Sequence, residues 1–280
     1  ASVLSQSPPP LELILAIDHN QGLAERARKH LDGVTVVEST EPRGASGARN
    51  SGVKNSGGEI LVFLDDDQYA APGWLRSLCT HFSDPDVLGV GGGITLAWPQ
   101  DRPRWFPREF DWAVGGSYRG MPEVAAPVRN VWSGNMAIRR STFDTAGGFR
   151  PGFGKLEISS RPEDTDLCLR VLDAFPSGHW QYEPLAEVAH IVPPERSTRR
   201  FFLNRCWSEG RGKAALATMN GVDASTASER RYATRVLPGA FLRETARGIC
   251  RADTGALERA VAILLGVLYT AAGFAVGCAF

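Results

Sequence analysis

Apolar and polar positions alternate in blocks along the first third of the chain. Residues 11–17 form a nearly continuous apolar run closed by Asp18, His19 and Asn20, and they predict a strand. Residues 21–31 follow with Leu23, Ala24 and Ala27 on one helical side. Residues 34–37 predict a short strand and residues 44–56 a helix with glycines at 44, 47 and 52. The apolar run 60–64 then ends abruptly at Asp65, Asp66 and Asp67, and a helix is predicted from Pro72 to about Phe82. Strands alternating with helices at this spacing predict an α/β fold of βαβ units with a mostly parallel sheet and right-handed crossovers.

The pattern changes after this. Residues 87–96 predict a strand carrying Gly91, Gly92 and Gly93, a run that lets another backbone or a ligand come close. Residues 98–127 have little periodicity but hold Trp98, Trp105, Phe106, Phe110, Trp112 and Tyr118. Such a loop is expected to be functional, its many aromatics speaking against disorder. Strand pattern returns over 130–138 and a short helix runs from Ser141 to Gly147 and Gly148. A helix opens at Pro162-Glu163-Asp164-Thr165-Asp166, strand pattern covers 180–191, and a helix covers 199–218. Residues 260–280 carry no charge. That run is long enough to cross a bilayer, and lying in the interface or packing on the rest of the chain fits it equally. Arg230, Arg231, Arg235, Arg243, Arg247 and Arg251 precede it and would lie on the cytoplasmic side.

With 280 residues the chain can bury a substantial core. Lysine plus arginine balance aspartate plus glutamate at 31 each, so net charge points to no nucleic-acid partner, although the last third is basic. The helix at 199–218 carries Arg205, Arg211 and Lys213 among aromatics, a patch that suits nucleic acid, a phosphate-bearing small ligand or an anionic membrane. No nucleic-acid motif accompanies it. Five scattered cysteines without CxxC spacing argue against a disulfide framework or a zinc site and fit a reducing compartment. The opening residues read as no signal peptide.

Chemistry concentrates at the end of the 60–64 strand. Three adjacent carboxylates repel one another, and a hard divalent cation, Mg²⁺ or Mn²⁺, would relieve them. The plain alternative is an acidic loop capping the next helix. Gly47-Ala48-Arg49-Asn50 brings a cation to a helix start, where an anion is favoured, but it is neither a dinucleotide fingerprint nor a phosphate-binding loop. Acids at 163, 164 and 166 would also arise simply to offset a helix dipole.

These stretches, taken together, resemble family 2 glycosyltransferases of the GT-A fold. The resemblance rests on Gly47-Ala48-Arg49-Asn50-Ser51-Gly52, on Gly58 through Asp67, on Gly134-Asn135-Met136-Ala137-Ile138-Arg139-Arg140 with Gly147-Gly148-Phe149, and on Glu163-Asp164-Thr165-Asp166-Leu167. It covers about residues 1–215 in order and spacing. It implies a GT-A domain over 1–220 with a Rossmann-like and mostly parallel sheet flanked by helices. The apolar run and the arginines before it make 221–280 an expected helical, membrane-associated region, and the aromatics of 98–118 are expected to form a platform for a sugar ring or an apolar aglycone. The resemblance also implies inverting, metal-dependent transfer of a sugar from a nucleotide diphosphate to a hydroxyl. Asp65 and Asp67 match the DxD positions: Asp67 with Asp65 would hold Mg²⁺ or Mn²⁺, and Asp65 and Asp66 would reach the ribose. Asp18 and Arg49 would contact the donor nucleotide. Asp164 would be the general base, with Glu163 orienting it or the acceptor. Trp132, Gly134 and Asn135 would face the acceptor, His190 would add a metal ligand or a diphosphate contact, and Arg205, Arg211 and Lys213 would close on the diphosphate. The acceptor is expected to be a glycan, a lipid-linked group or a small molecule, and the protein cytoplasmic, at or anchored in the inner face of the plasma membrane.

Two departures from the family pattern stand out. The family's opening strand is not read in residues 1–10, so the chain is expected to start short of it. The Gln-x-x-Arg-Trp signature of processive synthases is absent, so one sugar per acceptor is expected. The competing readings are a nucleotide-sugar-binding or scaffold protein without catalysis, and a nucleotidyltransferase, whose basic glycine-rich loop is not found.

Overall fold

The computed structural model describes residues 2–156 and 159–279. Its elements begin with β1 (Ile14–Ile17), α1 (Gln21–His30), β2 (Thr35–Glu38), α2 (Ala45–Lys54), β3 (Ile60–Leu64), β4 (Gln68–Ala70), α3 (Trp74–Thr80) and β5 (Val87–Ala97). They continue with β6 (Ala126–Val128), β7 (Asn135–Arg139), α4 (Arg140–Thr145), β8 (Gly154–Leu156), β9 (Ser159–Arg161), α5 (Glu163–Ala174) and β10 (His179–Ile191). Four helices complete the chain: α6 (Arg199–Asn220), α7 (Val222–Arg235), α8 (Leu237–Arg251) and α9 (Thr254–Ala279). By internal contacts the chain forms two compact units, Ala1–Gly93 with Pro122–Val188, and Ile94–Met121 with Ala189–Phe280.

In the first unit β1 and β2 pair in parallel, Ile14 opposite Thr35 and Ile17 opposite Glu38. The main sheet runs in the order β3-β7-β5-β10-β4, with β6 on β10. It is mixed: β7 lies antiparallel to both β3 and β5, with Leu64 opposite Asn135 and Gly91 opposite Met136. The α/β alternation holds, and β7 enters between strands that come earlier in the chain. The core beneath this sheet gathers Leu61, Phe63, Met136, Ile138, Phe143, Phe149, Leu167 and Trp180. The glycine run of β5 serves close packing. A Cβ on Gly91 would overlap the Val131 side chain, and one on Gly92 the Ala186 carbonyl, so the expected close approach is that of neighbouring strands and side chains.

In the second unit the aromatic stretch after β5 is core. Phe106 and Phe110 are 1% and 2% exposed, and Trp98, Trp105, Trp112 and Phe202 pack on them with ring centroids 5.2–5.7 Å apart. The expected sugar platform is therefore corrected: these rings face one another and are held by α6. Helices α6 and α9 cross through small residues. A Cβ on Gly210 would overlap the Thr270 carbonyl, one on Gly273 the Trp207 carbonyl, and one on Gly277 the side chain of Ala214. Gly273→Ala is expected to cost about 1–3 kcal/mol, since the crossing has no room to relax. Thermal unfolding checks it, and an unchanged midpoint would mean that the crossing is loose.

Helix α9 is capped by Asp253, whose Oδ1 accepts from Ala256 N at 3.1 Å, and that bond holds the carboxyl below its usual range. The mean hydropathy of its most apolar window is 2.1, and 22% of that window is buried. Its outward side bears Leu257, Val261, Leu264 and Leu268, each 41–55% exposed.

Candidate functional site

The site candidates of the first unit converge on the end of β3. Residue 65 leaves the strand opposite the start of β7, and Asp65 N donates to Gly134 O at 3.3 Å. A Cβ on Gly134 would come within 2.7 Å of Asp65 Oδ2. Glycine at 134 is thus what lets the first carboxylate of the acidic triplet lie over β7. Asp65 and Asp67 are half-buried and Asp66 is exposed.

Arg49 ties this corner to α5. Its Nη2 donates to Asp65 Oδ1 at 2.7 Å and its Nη1 to Glu163 Oε1 at 3.2 Å, while the guanidinium lies 5.5 Å from the Phe149 ring centroid. Burial by itself lowers the Arg49 pKa, but the charges of Asp65 and then Glu163, with their hydrogen bonds, outweigh it and the net shift is upward. One planar fork thus joins partners 16 and 114 positions away along the chain.

The surrounding motif residues hold Arg49 in place. A Cβ on Gly47 would overlap the Pro42 carbonyl, so only glycine fits where α2 begins. Asn50 clamps Phe149, donating to its carbonyl at 2.7 Å and accepting from its amide at 3.0 Å. Ser46 Oγ donates to Phe153 O at 2.9 Å. Asn50 and Ser46 were not among the sequence candidates. Their place beside Arg49 was visible, but their partners lie about a hundred residues away. Asp18 follows β1 and its Oδ2 accepts from Gly44 N at 2.9 Å, which joins it to the start of α2.

The three acids opening α5 have separate surroundings. Asp166 is fully buried between Arg150 (3.1 Å) and Arg170 (2.8 Å), a structural ion triad. Glu163 faces Arg49. Asp164 is half-buried, and its Oδ1 accepts from Thr165 N at 2.6 Å. Trp132 is half-buried, while Asn135 is 1% exposed with its amide engaged on Trp74 Nε1, Gly93 O and Ala186 O at 2.8–2.9 Å. Asn135 therefore secures the sheet, which corrects the expectation that its side chain faces an acceptor.

The remaining candidates belong to the second unit. His190 is 4% exposed, with its ring against Gly115 and its Nε2 3.5 Å from Arg196 Nη1. Arg205 pairs with Glu209 at 3.0 Å, and Lys213, 6% exposed, with Glu229 at 2.7 Å. Of the three cations expected to close on a diphosphate, only Arg211 is exposed; the charges of Arg205 and Lys213 already have carboxylate partners.

The model of glycosyl transferase family 2 matches residues 1–147. The chain belongs to that family. A relative from Haloferax volcanii, glucosyl-dolichyl phosphate glucuronosyltransferase, is 32% identical over 220 residues, covering 77% of this chain and 70% of its own. The pre-mycofactocin glycosyltransferase of Mycobacterium tuberculosis strain H37Rv is 31% identical over 162 residues, 58% of this chain but 33% of its own length. Among solved structures, the mannosyltransferase PcManGT of Pyrobaculum calidifontis, in complex with GDP-Man and Mn²⁺, superposes with a TM-score of 0.52 at 17% identity over 92% of this chain and 76% of that one. The fold is thus GT-A-like, and the chain is a family 2 glycosyltransferase.

The donor set of the transferase fits a hard divalent cation. Asp65, whose Oδ1 meets Arg49, and Asp67 would offer carboxylate oxygens to it. The adjacent Gln68 Oε1 is buried without a hydrogen-bond partner among the described residues, an amide oxygen of the kind such ions take. Among the described residues no three His, Cys, Asp or Glu side chains converge, so bound donor would have to complete the coordination.

Proposed function

We propose that the protein is an inverting, non-processive glycosyltransferase that moves one sugar from a nucleoside diphosphate to the hydroxyl of a lipid-linked acceptor. The observation that carries this reading is the Arg49 fork, because it joins the carboxylate of the donor corner to the acid pair of α5. In the proposal Asp18 and Arg49 hold the nucleotide, Asp66 with Asp65 reaches its ribose, and Asp65 and Asp67 hold Mg²⁺ or Mn²⁺. When bound, the ion neutralises charge on the departing diphosphate. Asp164 accepts the proton of the attacking hydroxyl, and Glu163, fixed by Arg49, keeps the acceptor aligned. Trp132 is the acceptor-side surface. The lipid-linked acceptor is favoured by the dolichyl phosphate named for the haloarchaeal relative and by the apolar outer side of α9.

Helix α9 is proposed to lie on the membrane rather than through it. It packs along α6 at Gly210, Trp207 and Arg211, and α6 carries Glu209, Arg211 and Lys213 at that level. Those charges would be costly in hydrocarbon. One apolar side against lipid and the other against a charged helix suits an interfacial position.

Calorimetric titration of UDP, GDP and dTDP with Mn²⁺ tests the donor site. One nucleotide is expected to bind in a metal-dependent way, with affinity at least about tenfold weaker in Asp67→Ala. If no nucleotide binds, the reading fails and a scaffold role takes its place.

A further inference from the structure

The second unit holds a cleft of about 430 Å³ that the reaction proposed above does not use. Seven arginines line it, from the aromatic stretch after β5 and from α8 and α9. Four carboxylates pair with them. Glu109, 2% exposed, accepts from Arg243 at 2.6 Å and lies 3.4 Å from Arg119. Glu244, 6% exposed, accepts from Arg259 at 2.8 Å. Asp253 pairs with Arg247 at 3.2 Å, and Asp111 pairs with Arg102. Three positive charges are left over.

The surplus sits at the rim. Arg108 is exposed and its side chain makes no hydrogen bond or ion pair among the described residues. Arg104 is 78% exposed, and its nearest carboxylate oxygen is 3.9 Å away. The buried acids fix the guanidinium planes around them, so the cleft is an arranged set of forks with spare donors. Guanidinium forks match phosphate oxygens. The helices that contribute these arginines also carry apolar side chains facing solvent: Leu242 and Ile249 on α8, at 66% and 72%, and Leu257 and Val261 on α9. Gly248 of α8 packs directly on Leu257, which brings the two apolar sets side by side. A cationic cleft beside an exposed apolar surface suits a ligand that has a phosphate at one end and a hydrocarbon chain at the other.

We propose that this cleft binds the phosphate monoester or diphosphate headgroup of a membrane lipid, with the lipid chain lying along α8 and α9. The proposal rests on the membrane position argued for α9, and its test reads lipid binding without sugar transfer, so the donor-site reading stands or falls separately. The full chain in detergent micelles is titrated with a fluorescent phosphatidic acid, with the diacylglycerol of the same acyl chains, and with inorganic pyrophosphate as competitor. Phosphatidic acid is expected to bind at least about tenfold more tightly than diacylglycerol, and salt should weaken only the former. In Arg104→Gln/Arg108→Gln that preference is expected to fall to about threefold or less, while thermal unfolding stays unchanged because both side chains are exposed. Pyrophosphate is expected to compete weakly, since it lacks the chain. Equal binding of the two lipids would overturn the cleft and leave only an apolar surface. Pyrophosphate binding as tightly as phosphatidic acid would overturn the lipid assignment, and binding of neither lipid would overturn the membrane position as well. An undiminished preference in the double variant would place the phosphate elsewhere.

Discussion

Arg49→Ala is expected to lower sugar transfer roughly a hundredfold and stability by about 2 kcal/mol. The side chain is 15% exposed and serves two carboxylates at once. Its removal leaves Asp65 and Glu163 without their shared cation, and Glu163, 18% exposed, bears most of that cost. Asp65, 42% exposed, recovers water, which is why the loss falls below that of a fully buried pair. The kinetic effect comes from position. The fork ties Glu163, the first residue of α5, to Asp65 of the donor corner, and small displacements of reacting groups are costly. Arg49→Lys keeps the charge but not the planar fork, so it should recover most of the stability and little of the rate. Steady-state kinetics and thermal unfolding on the two variants check this. If lysine restores both, a positive charge is all the site needs and the bridge has no positioning role.

Much of the first unit was legible because its signals are local. An apolar run ending in acids marks β3 wherever it packs, and the α/β alternation follows from spacing alone. The three-residue strands β4 and β6 carry too few positions for a period to show. The antiparallel entry of β7 was hidden because strand direction is set by pairing across the sheet, which no local pattern records.

The site divides in the same way. Gly47, Arg49 and the acidic triplet stand out by residue type. The second half of each contact does not: Asn50 meets Phe149 and Arg49 meets Glu163 across 99 and 114 residues. Residue type also misled. Six aromatics in an aperiodic stretch look alike whether they await a ligand or one another, and Phe202 of α6, far along the chain, decides for the core. Arg205 and Lys213 likewise look like free cations until Glu209 and Glu229 are seen beside them.

Asp164→Asn is expected to reduce the turnover number about a thousandfold while leaving the donor KM and the folded state nearly unchanged. The first turn of α5 has three acids, and their surroundings separate their work. Asp166 neutralises Arg150 and Arg170 in the core, and Glu163 meets Arg49. Dipole compensation alone would let any of the three be replaced at similar small cost, about 0.3–1 kcal/mol each. The arrangement predicts otherwise. Asp166→Asn should destabilise the fold, because two arginines lose a fully buried counter-charge. Asp164→Asn keeps the shape and the bond from Thr165 N to the side-chain oxygen, and removes the negative charge and with it the ability to take up a proton. Its loss should therefore appear in the chemical step, with nucleotide titration and thermal unfolding matching the parent. A variant that transfers sugar at more than about a tenth of the parental rate would remove Asp164 as the base. Glu163, already oriented by Arg49, would then be the group to test next, by Glu163→Gln under the same assay.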